Sequence, residues 1–171
     1  MRPSNHVKGS VELWPLDMLV STDASHSPGG GVSRTGVVIL VNGIVVHWVS
    51  HRQSMTTLSS CESEIVAHVT GFKWMIGIRD LVEEATKSKM RISLEGDNIA
   101  AIQTLTNVVT SWRNMHYAKR AAWLRDEITH AGTTLQHRRG TELVSDGLTK
   151  VLPREKTGCG KGAIGNPSLK R

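Results

Sequence analysis

Cysteine is scarce in this chain of 171 residues, and so are Phe and Tyr. The two cysteines, Cys61 and Cys159, lie far apart and match no zinc or disulfide spacing, which predicts free thiols in a reducing, intracellular compartment. No apolar run approaches the length of a bilayer, and the first ten residues contain no apolar signal segment, so we expect no membrane association. With one Phe and one Tyr, the core must be built mainly from aliphatic side chains.

Negative charge is also in deficit. The chain has 21 Lys and Arg against 15 Asp and Glu, a formal net charge of +6, which favours a polyanionic partner such as nucleic acid. The length is typical of one domain. We expect a polar N-terminal extension over residues 1–15, a folded domain over 16–153, and a basic, Gly- and Lys-rich tail over 154–171 that is flexible.

Three strands are predicted at the start of the domain, over Leu16–Ser25, Thr35–Val41 and Ile44–Trp48. Asn42-Gly43 separates the second from the third, and this dipeptide between two apolar, β-branched runs is a strong hairpin signal. The chain therefore opens with an antiparallel meander.

The apolar period then changes from two residues to the helical spacing. The later elements predicted in this way are a long helix from Ser59 through Val82, a strand over Met90–Leu94, helices over Ile99–Leu105 and Asn114–Ala131, a strand over Thr133–His137 and a short helix over Glu142–Val151. This order predicts an α/β fold with a mixed five-stranded sheet, in which three antiparallel strands are followed by two parallel additions, flanked by helices.

Four acidic residues fall at the ends or breaks of these elements: Asp23, Glu64, Asp97 and Asp146. If the first and fourth strands are neighbours, Asp23 and Asp97 project from adjacent strand ends with Glu64 above them. Carboxylates so close repel one another unless cations neutralise them, and hard oxygen ligands favour Mg²⁺ or Mn²⁺. The alternative is four ordinary acids at caps and strand ends.

Five segments carry a resemblance to a known family. They are Ser21-Thr22-Asp23-Ala24, His47 to Gln53, Leu58-Ser59-Ser60-Cys61-Glu62-Ser63-Glu64, Gly96 to Ile102, and Val144-Ser145-Asp146-Gly147-Leu148-Thr149-Lys150-Val151-Leu152-Pro153. In order and spacing they resemble the motifs of ribonuclease H domains, most of all those of copia-type LTR retrotransposon polyproteins.

The resemblance implies a metal-dependent endonuclease that hydrolyses the RNA strand of RNA–DNA hybrids and leaves 5′-phosphate and 3′-hydroxyl ends. By position, the metal ligands and catalytic residues are Asp23, Glu64, Asp97 and Asp146, holding two Mg²⁺ with Mn²⁺ as a substitute. It also implies a reverse transcriptase domain in the same polyprotein as a partner, a monomeric domain, and a location in the cytoplasm or a virus-like particle, with the nucleus as an alternative.

Substrate contacts are expected from residues near the acids and from a basic helix face. The first set is Ser25, Ser60, Cys61 and Asn98, and the second is Arg113, His116, Lys119 and Arg120. A solvated helix face is the competing interpretation of the second set. Arg138, Arg139 and Lys150 could extend a phosphate track.

For the other acidic and histidine side chains considered, we expect structural rather than catalytic roles. Glu62 is expected at the surface or as a helix cap. His68, one turn after Glu64, is expected to be a partner-bonded or partly buried histidine. His47 and His51 lack further zinc ligands, so we exclude a zinc site. His137 belongs to the last strand, and we do not assign it a part in product release.

Two other functions remain open. A hybrid-binding module that has lost catalysis would be expected to lack an acid, whereas all four are present. An integrase- or transposase-like nuclease of the same superfold would typically order its acids Asp, Asp, Glu, whereas Glu comes second here.

Overall fold

The structure is a computed structural model that describes residues 16–27, 31–107 and 115–150. The expected N-terminal extension (1–15) and basic tail (154–171) lie outside these residues, as do Cys159 and Arg113. The folded domain is therefore followed from Leu16 to Lys150.

Five strands form one mixed sheet. They are β1 (Leu16–Ser25), β2 (Arg34–Val41), β3 (Ile44–Arg52), β4 (Met90–Gly96) and β5 (Thr134–His137). The spatial order is β3-β2-β1-β4-β5. The first three strands pair antiparallel, β4 adds parallel to β1, and β5 adds parallel to β4. This confirms the fold class predicted from the order of the elements.

The hairpin between β2 and β3 turns at Asn42-Gly43, as predicted. Asn42 has φ 48° and Gly43 has φ 78°, so both adopt the left-handed conformation that a type I′ turn requires. The strand that follows runs on to Arg52, beyond the expected end at Trp48.

In the described residues, three α-helices pack with this sheet: α1 (Ser60–Thr86), α2 (Ile99–Thr106) and α3 (Met115–His130). The side chain of Ser59 caps α1 by accepting a hydrogen bond from the backbone NH of Glu62 at 3.1 Å. Gly132, beyond α3, has φ 62°, as expected for a residue that closes a helix. Within the described residues, no helix is both long enough and apolar enough to cross a membrane.

The core lies mainly between α1 and the sheet. Its fully buried side chains are mostly aliphatic and include Met18, Val20, Val37, Ile39, Ile65, Phe72, Met75 and Leu94. Their burial fixes α1 across β1 and β2, and thereby places the first turn of α1 over the end of β1.

In the polar segments, one prediction is wrong and one is confirmed. The expected short helix from Glu142 is replaced by two 3₁₀ turns, Gly140–Glu142 and Asp146–Leu148. Leu143 between them is buried with extended backbone (φ −79°, ψ 121°), so its burial outweighs a continuous helix that would contain Gly147. Glu62 is buried and takes the capping role, one of its two expected roles, since its Oε2 accepts a hydrogen bond from the backbone NH of Leu58 at 2.7 Å, just before α1.

Two glycines of α1 should respond oppositely to substitution by Ala. A Cβ at Gly71 would lie 2.6 Å from Thr22 Cγ2, whereas one at Gly77 meets nothing within 4 Å. Overpacking costs about 1–3 kcal/mol, and replacing a helical Gly by Ala gains about 1 kcal/mol. We expect Gly71→Ala to lower the free energy of unfolding by about 1 kcal/mol and Gly77→Ala to raise it by up to about 1 kcal/mol. Urea denaturation measures both, and equal gains would contradict the packing of α1 on β1.

Candidate active site

Three carboxylates converge at one edge of the sheet. Asp23 lies near the end of β1, Asp97 directly follows β4, and Glu64 lies in the first part of α1. Because β1 and β4 are adjacent and parallel, their carboxyl ends meet at the same edge. Oxygens of the three side chains all lie within 4.8 Å of one another. The predicted meeting of these three acids is therefore found in the structure.

Two of these acids are almost removed from water. The side chains of Asp23 and Glu64 belong to residues only 4% exposed. Burial raises the pKa of Glu64 to about 9, and the charges of Asp23 and Asp97 add to that shift. Burial likewise raises the pKa of Asp23, against the opposing effect of a hydrogen bond from Thr149. In the absence of a cation, the group thus resists carrying its full negative charge at neutral pH.

The donor set fits a hard divalent cation. Glu64 accepts a hydrogen bond from the backbone NH of Ala24 at 3.2 Å through Oε1, whereas its Oε2 is buried and has no hydrogen-bond partner. A buried, unpartnered carboxylate oxygen beside two further carboxylates is a favourable ligand for Mg²⁺ or Mn²⁺. Ligation would also remove the repulsion among the three charges.

Asp146 is placed beside this group but not within it. It opens the second 3₁₀ turn, and its Oδ1 is bound by the Nζ of Lys150. Its charge still reaches the group, since it contributes to the raised pKa of Asp23. The structure therefore brings together three of the four predicted acids and leaves the fourth paired with a lysine.

Thr149 lies at the candidate site, although the sequence analysis assigned it no role. Its hydroxyl donates to Oδ2 of Asp23 and also approaches the backbone oxygen of Asp146, at 3.2 Å. Gly36 makes room for this contact, because a Cβ there would lie 2.9 Å from Thr149 Cγ2 and 3.1 Å from the backbone oxygen of Ser145. The signal was present in the Leu-Thr-Lys motif, but only the fold reveals that this threonine reaches β1.

The segment after β5 supports Asp97. The ring Nε2 of His137 lies 3.0 Å from the backbone oxygen of Asp97, and the backbone NH of Arg138 donates to Gly96 at 2.9 Å. A Cβ at Gly140 would lie 2.7 Å from Oδ2 of Asp97, so glycine lets the backbone approach that carboxylate. His137 ends β5, as predicted.

A partly buried ion pair anchors the same segment. The side chain of Glu95 is fully buried, and its Oε2 accepts a hydrogen bond from the Nε of Arg138, whose side chain is 39% exposed. Arg138 is therefore engaged inside the domain, which leaves Arg139 as the exposed arginine of this pair.

His68 is buried below the carboxylates, in agreement with the expected structural role. Its Nδ1 lies 2.5 Å from the hydroxyl of Thr22, which donates to the backbone oxygen of Glu95 at 3.1 Å. Burial lowers the pKa of His68 to about 4, so the ring is neutral at physiological pH. His47 stacks against Trp74, and no group of potential metal ligands in the described residues includes His47 or His51.

The proposed substrate contacts near the acids have different environments. Ser60 is exposed at the start of α1, and Ser25 and Asn98 are half-buried. Asn98 also caps α2 by accepting a hydrogen bond from Ala101 at 3.0 Å. The thiol of Cys61 instead contacts Tyr117, with Sγ 3.7 Å from the phenolic oxygen.

The basic helix is seen only in part. Lys119 is exposed and Arg120 half-buried on α3. Arg113 and the side chain of His116 lie outside what the structure describes. The expected face is thus confirmed as solvent-accessible at Lys119, and contact with a nucleic-acid backbone stays a prediction.

The raised pKa of Glu64 gives the metal-free protein a distinct pH dependence. Folded Glu64 retains a proton that the unfolded chain releases near pH 4.5, so its contribution to stability is complete below that pH and is lost as pH rises through about 9. We expect the free energy of unfolding to fall by up to about 1.4 kcal/mol per pH unit within this window, and by less in Glu64→Gln. Urea denaturation in chelator at pH 5–9 measures the slope.

Glu84→Gln is the matched control for that experiment, because Glu84 lies exposed on the same helix. It should leave the slope unchanged. Identical slopes for the wild type and Glu64→Gln would contradict the assigned environment of Glu64.

Removing Arg138 should destabilise the domain by leaving Glu95 buried without its partner. Breaking a fully buried pair costs about 3–5 kcal/mol, and partial exposure of Arg138 reduces this, so we expect Arg138→Met to lower the free energy of unfolding by about 2 kcal/mol. The neighbouring, exposed Arg139→Met removes the same charge and should change it by less than about 0.5 kcal/mol. Equal effects in denaturation would rule out the anchoring role.

Comparison with known proteins finds relatives among transposon polyproteins. The chain is 27% identical over 133 residues to the retrovirus-related Pol polyprotein from transposon TNT 1-94 of Nicotiana tabacum, covering 78% of this chain and 10% of that protein. It is 28% identical over 138 residues to the transposon Ty1-ER2 Gag-Pol polyprotein of Saccharomyces cerevisiae, covering 80% and 8%. The chain thus spans about a tenth or less of the length of these relatives. No family model matches the sequence.

Solved structures with the same fold are ribonucleases H. The LC11-RNase H1 isolated from compost superposes with a TM-score of 0.58 at 16% identity, covering 86% of this chain and 91% of that one. The RNase H1 of Halobacterium salinarum gives 0.59 at 16% identity, with coverages of 77% and 93%. The chain therefore has the ribonuclease H fold and is related in sequence to the Pol polyproteins of transposons, as the motif resemblance predicted.

Proposed function

We propose that this domain is a ribonuclease H that cuts the RNA strand of RNA–DNA hybrids. The observation that carries the proposal is the convergence of Asp23, Glu64 and Asp97 within 4.8 Å at the strand ends of a ribonuclease H fold. The relatives, whose names describe Pol and Gag-Pol polyproteins, supply the context of reverse transcription. One LC11-RNase H1 structure of the same fold was solved in complex with an RNA/DNA hybrid.

The catalytic centre would hold two divalent cations, Mg²⁺ or Mn²⁺. Asp23, Glu64 and Asp97, which converge in the structure, would be ligands, and Asp146 would join them from its adjacent turn. When bound, such cations lower the pKa of a water molecule and stabilise the leaving oxygen of a phosphodiester. Hydrolysis with in-line attack of water would leave 5′-phosphate and 3′-hydroxyl ends.

The protein's own part is to hold these carboxylates in place. Thr149 orients Asp23 by donating a hydrogen bond to Oδ2, and the backbone NH of Ala24 orients Glu64 at 3.2 Å. The backbone at Gly140 lies against Asp97, since a Cβ there would be 2.7 Å from Oδ2 of that carboxylate. Each ligand is thus fixed by a different segment, which lowers the cost of ordering the site for the reaction.

Substrate would be recognised by its shape and backbone. Ser60 and Asn98 lie next to the acids in the chain and can supply hydrogen bonds to a 2′-hydroxyl group, the feature that distinguishes RNA from DNA. Lys119 and Arg120 on α3 would contact phosphates, consistent with the net charge of +6. Affinity should therefore fall as salt concentration rises.

The wider setting is also part of the proposal. We place the catalytic domain at residues 16–153, working as a monomer and joined to a reverse transcriptase domain of the same polyprotein. A prototype foamy virus protease-reverse transcriptase, matched with a TM-score of 0.51 at 13% identity, shows the same fold as part of such a chain. The reducing cytoplasm or a virus-like particle is the expected location, with the nucleus as the alternative.

Removing one ligand tests the function directly. Loss of a residue that supports a metal ligand typically lowers metal affinity or activity about 10- to 100-fold. Asp23→Asn removes a proposed ligand itself, so we expect it to lower the rate of hybrid cleavage by more than about 100-fold. Labelled RNA–DNA hybrid, duplex DNA and duplex RNA are incubated with and without Mg²⁺, and only the hybrid should be cut.

Asp17→Asn is the matched control, since Asp17 is exposed on the same strand and pairs with Arg91. It should retain wild-type cleavage. Retained cleavage in Asp23→Asn would disprove the metal centre, and joining of DNA ends by the wild type would favour the integrase-like alternative.

A further inference from the structure

Lys150 is the cation that the chain itself places at the carboxylates. Its Nζ binds Oδ1 of Asp146 four residues earlier, while its side chain remains 60% exposed. Among the described residues, none of Asp23, Glu64 and Asp97 forms an ion pair with a lysine, arginine or histidine. Within the part of the chain that the structure describes, Lys150 thus supplies the only ammonium group paired with one of the four predicted acids.

The turn that carries this pair is fixed against the site. Thr149, between Asp146 and Lys150, donates its hydroxyl to Asp23, and Ser145 Oγ lies 3.2 Å from Ser21 Oγ on β1. The pKa of Lys150 is raised, chiefly by the hydrogen bond to Asp146 and then by the charges of Asp146, Asp23 and Asp97. Lys150 thus interacts electrostatically with Asp23 and Asp97 as well as with its direct partner, Asp146.

The ion pair between Lys150 and Asp146 is weak enough for a metal ion to replace the lysine. An ion pair this open to solvent contributes little to stability, because water screens it and two side chains must be ordered. A divalent cation interacts with a carboxylate more strongly than a single ammonium group does, through its doubled charge. Asp146 can therefore pass from Lys150 to a metal ion without disrupting the buried contacts of Ser145 and Thr149.

We propose that Lys150 is a built-in counter-ion that competes with a divalent cation for the carboxylate of Asp146. The three converging acids bind the first cation, and the second binds only as Lys150 releases Asp146. The two cations consequently bind with different affinities. Competition from Lys150 determines the affinity of the second, weaker site. This inference rests on the proposed function, because it takes Asp146 to be the fourth metal ligand.

Direct binding of Mn²⁺ to the whole 171-residue chain tests the competition without substrate. Electron paramagnetic resonance counts free Mn²⁺ during a titration, and calorimetry gives the two dissociation constants. We expect Lys150→Met and Lys150→Gln to bind the second Mn²⁺ about fivefold more tightly than the wild type, which corresponds to the loss of one exposed ion pair. Lys150→Arg, which keeps the charge, should bind it as the wild type does.

The gain must depend on Asp146. In the Asp146→Asn background, Lys150→Met should no longer tighten the second Mn²⁺ site, because there is no carboxylate left to release. An equal gain in that background would show that Lys150 acts only through its general field and would overturn the proposal. Unchanged dissociation constants in both Lys150→Met and Lys150→Gln would overturn it as well.

Hybrid cleavage by the same samples separates the two proposals. If the wild type cleaves hybrid with Mg²⁺ while the Lys150 variants bind Mn²⁺ as the wild type does, the nuclease assignment stands and the counter-ion is rejected. If the variants gain affinity through Asp146 while the wild type cleaves no hybrid, the counter-ion is supported and the nuclease assignment fails. Thermal melting of each variant confirms that it is folded.

Discussion

Mutual repulsion among three carboxylates, two of them buried, is the constraint on which the rest of this structure depends. Asp23, Glu64 and Asp97 would separate if their side chains could move, because like charges in a poorly hydrated site raise one another's free energy. They remain together because each is attached to an element held by the aliphatic core between α1 and the sheet. Hydrophobic burial thus holds together carboxylates that would repel one another when charged. A bound cation would reduce that repulsion.

The polar contacts around the site come from segments far apart in the chain. Thr149 reaches Asp23 from the end of the described domain, whereas His137 at the end of β5 and Gly140 in the segment after it approach Asp97. The Glu95–Arg138 pair fastens that segment to β4, two residues before Asp97. Packing, backbone hydrogen bonds and one partly buried ion pair together leave the carboxylates little freedom to rearrange.

The sequence predicted the elements well and the polar contacts poorly, for a physical reason. Apolar periodicity and turn residues such as Asn42-Gly43 are local, so the strands, the long helices and the meeting of Asp23 with Asp97 could be inferred. The pairing of Asp146 with Lys150 depends on which rotamers the final fold allows. The short last helix was wrong because burial of Leu143, a tertiary effect, outweighed a weak helical pattern.

Gly36 and the turn that packs on it also bear on when the site comes into being. The backbone at Gly36 and the segment from Ser145 to Thr149 approach so closely that no side chain fits between them, and the bond from Thr149 to Asp23 spans 126 residues of chain. Contacts of such sequence separation form late, after the entropy of closing a long loop has been overcome. A nascent chain that has already formed its sheet and α1 therefore lacks the contact of Thr149 with Asp23 until the turn over Asp146–Leu148 docks, so the carboxylate group is completed late in folding.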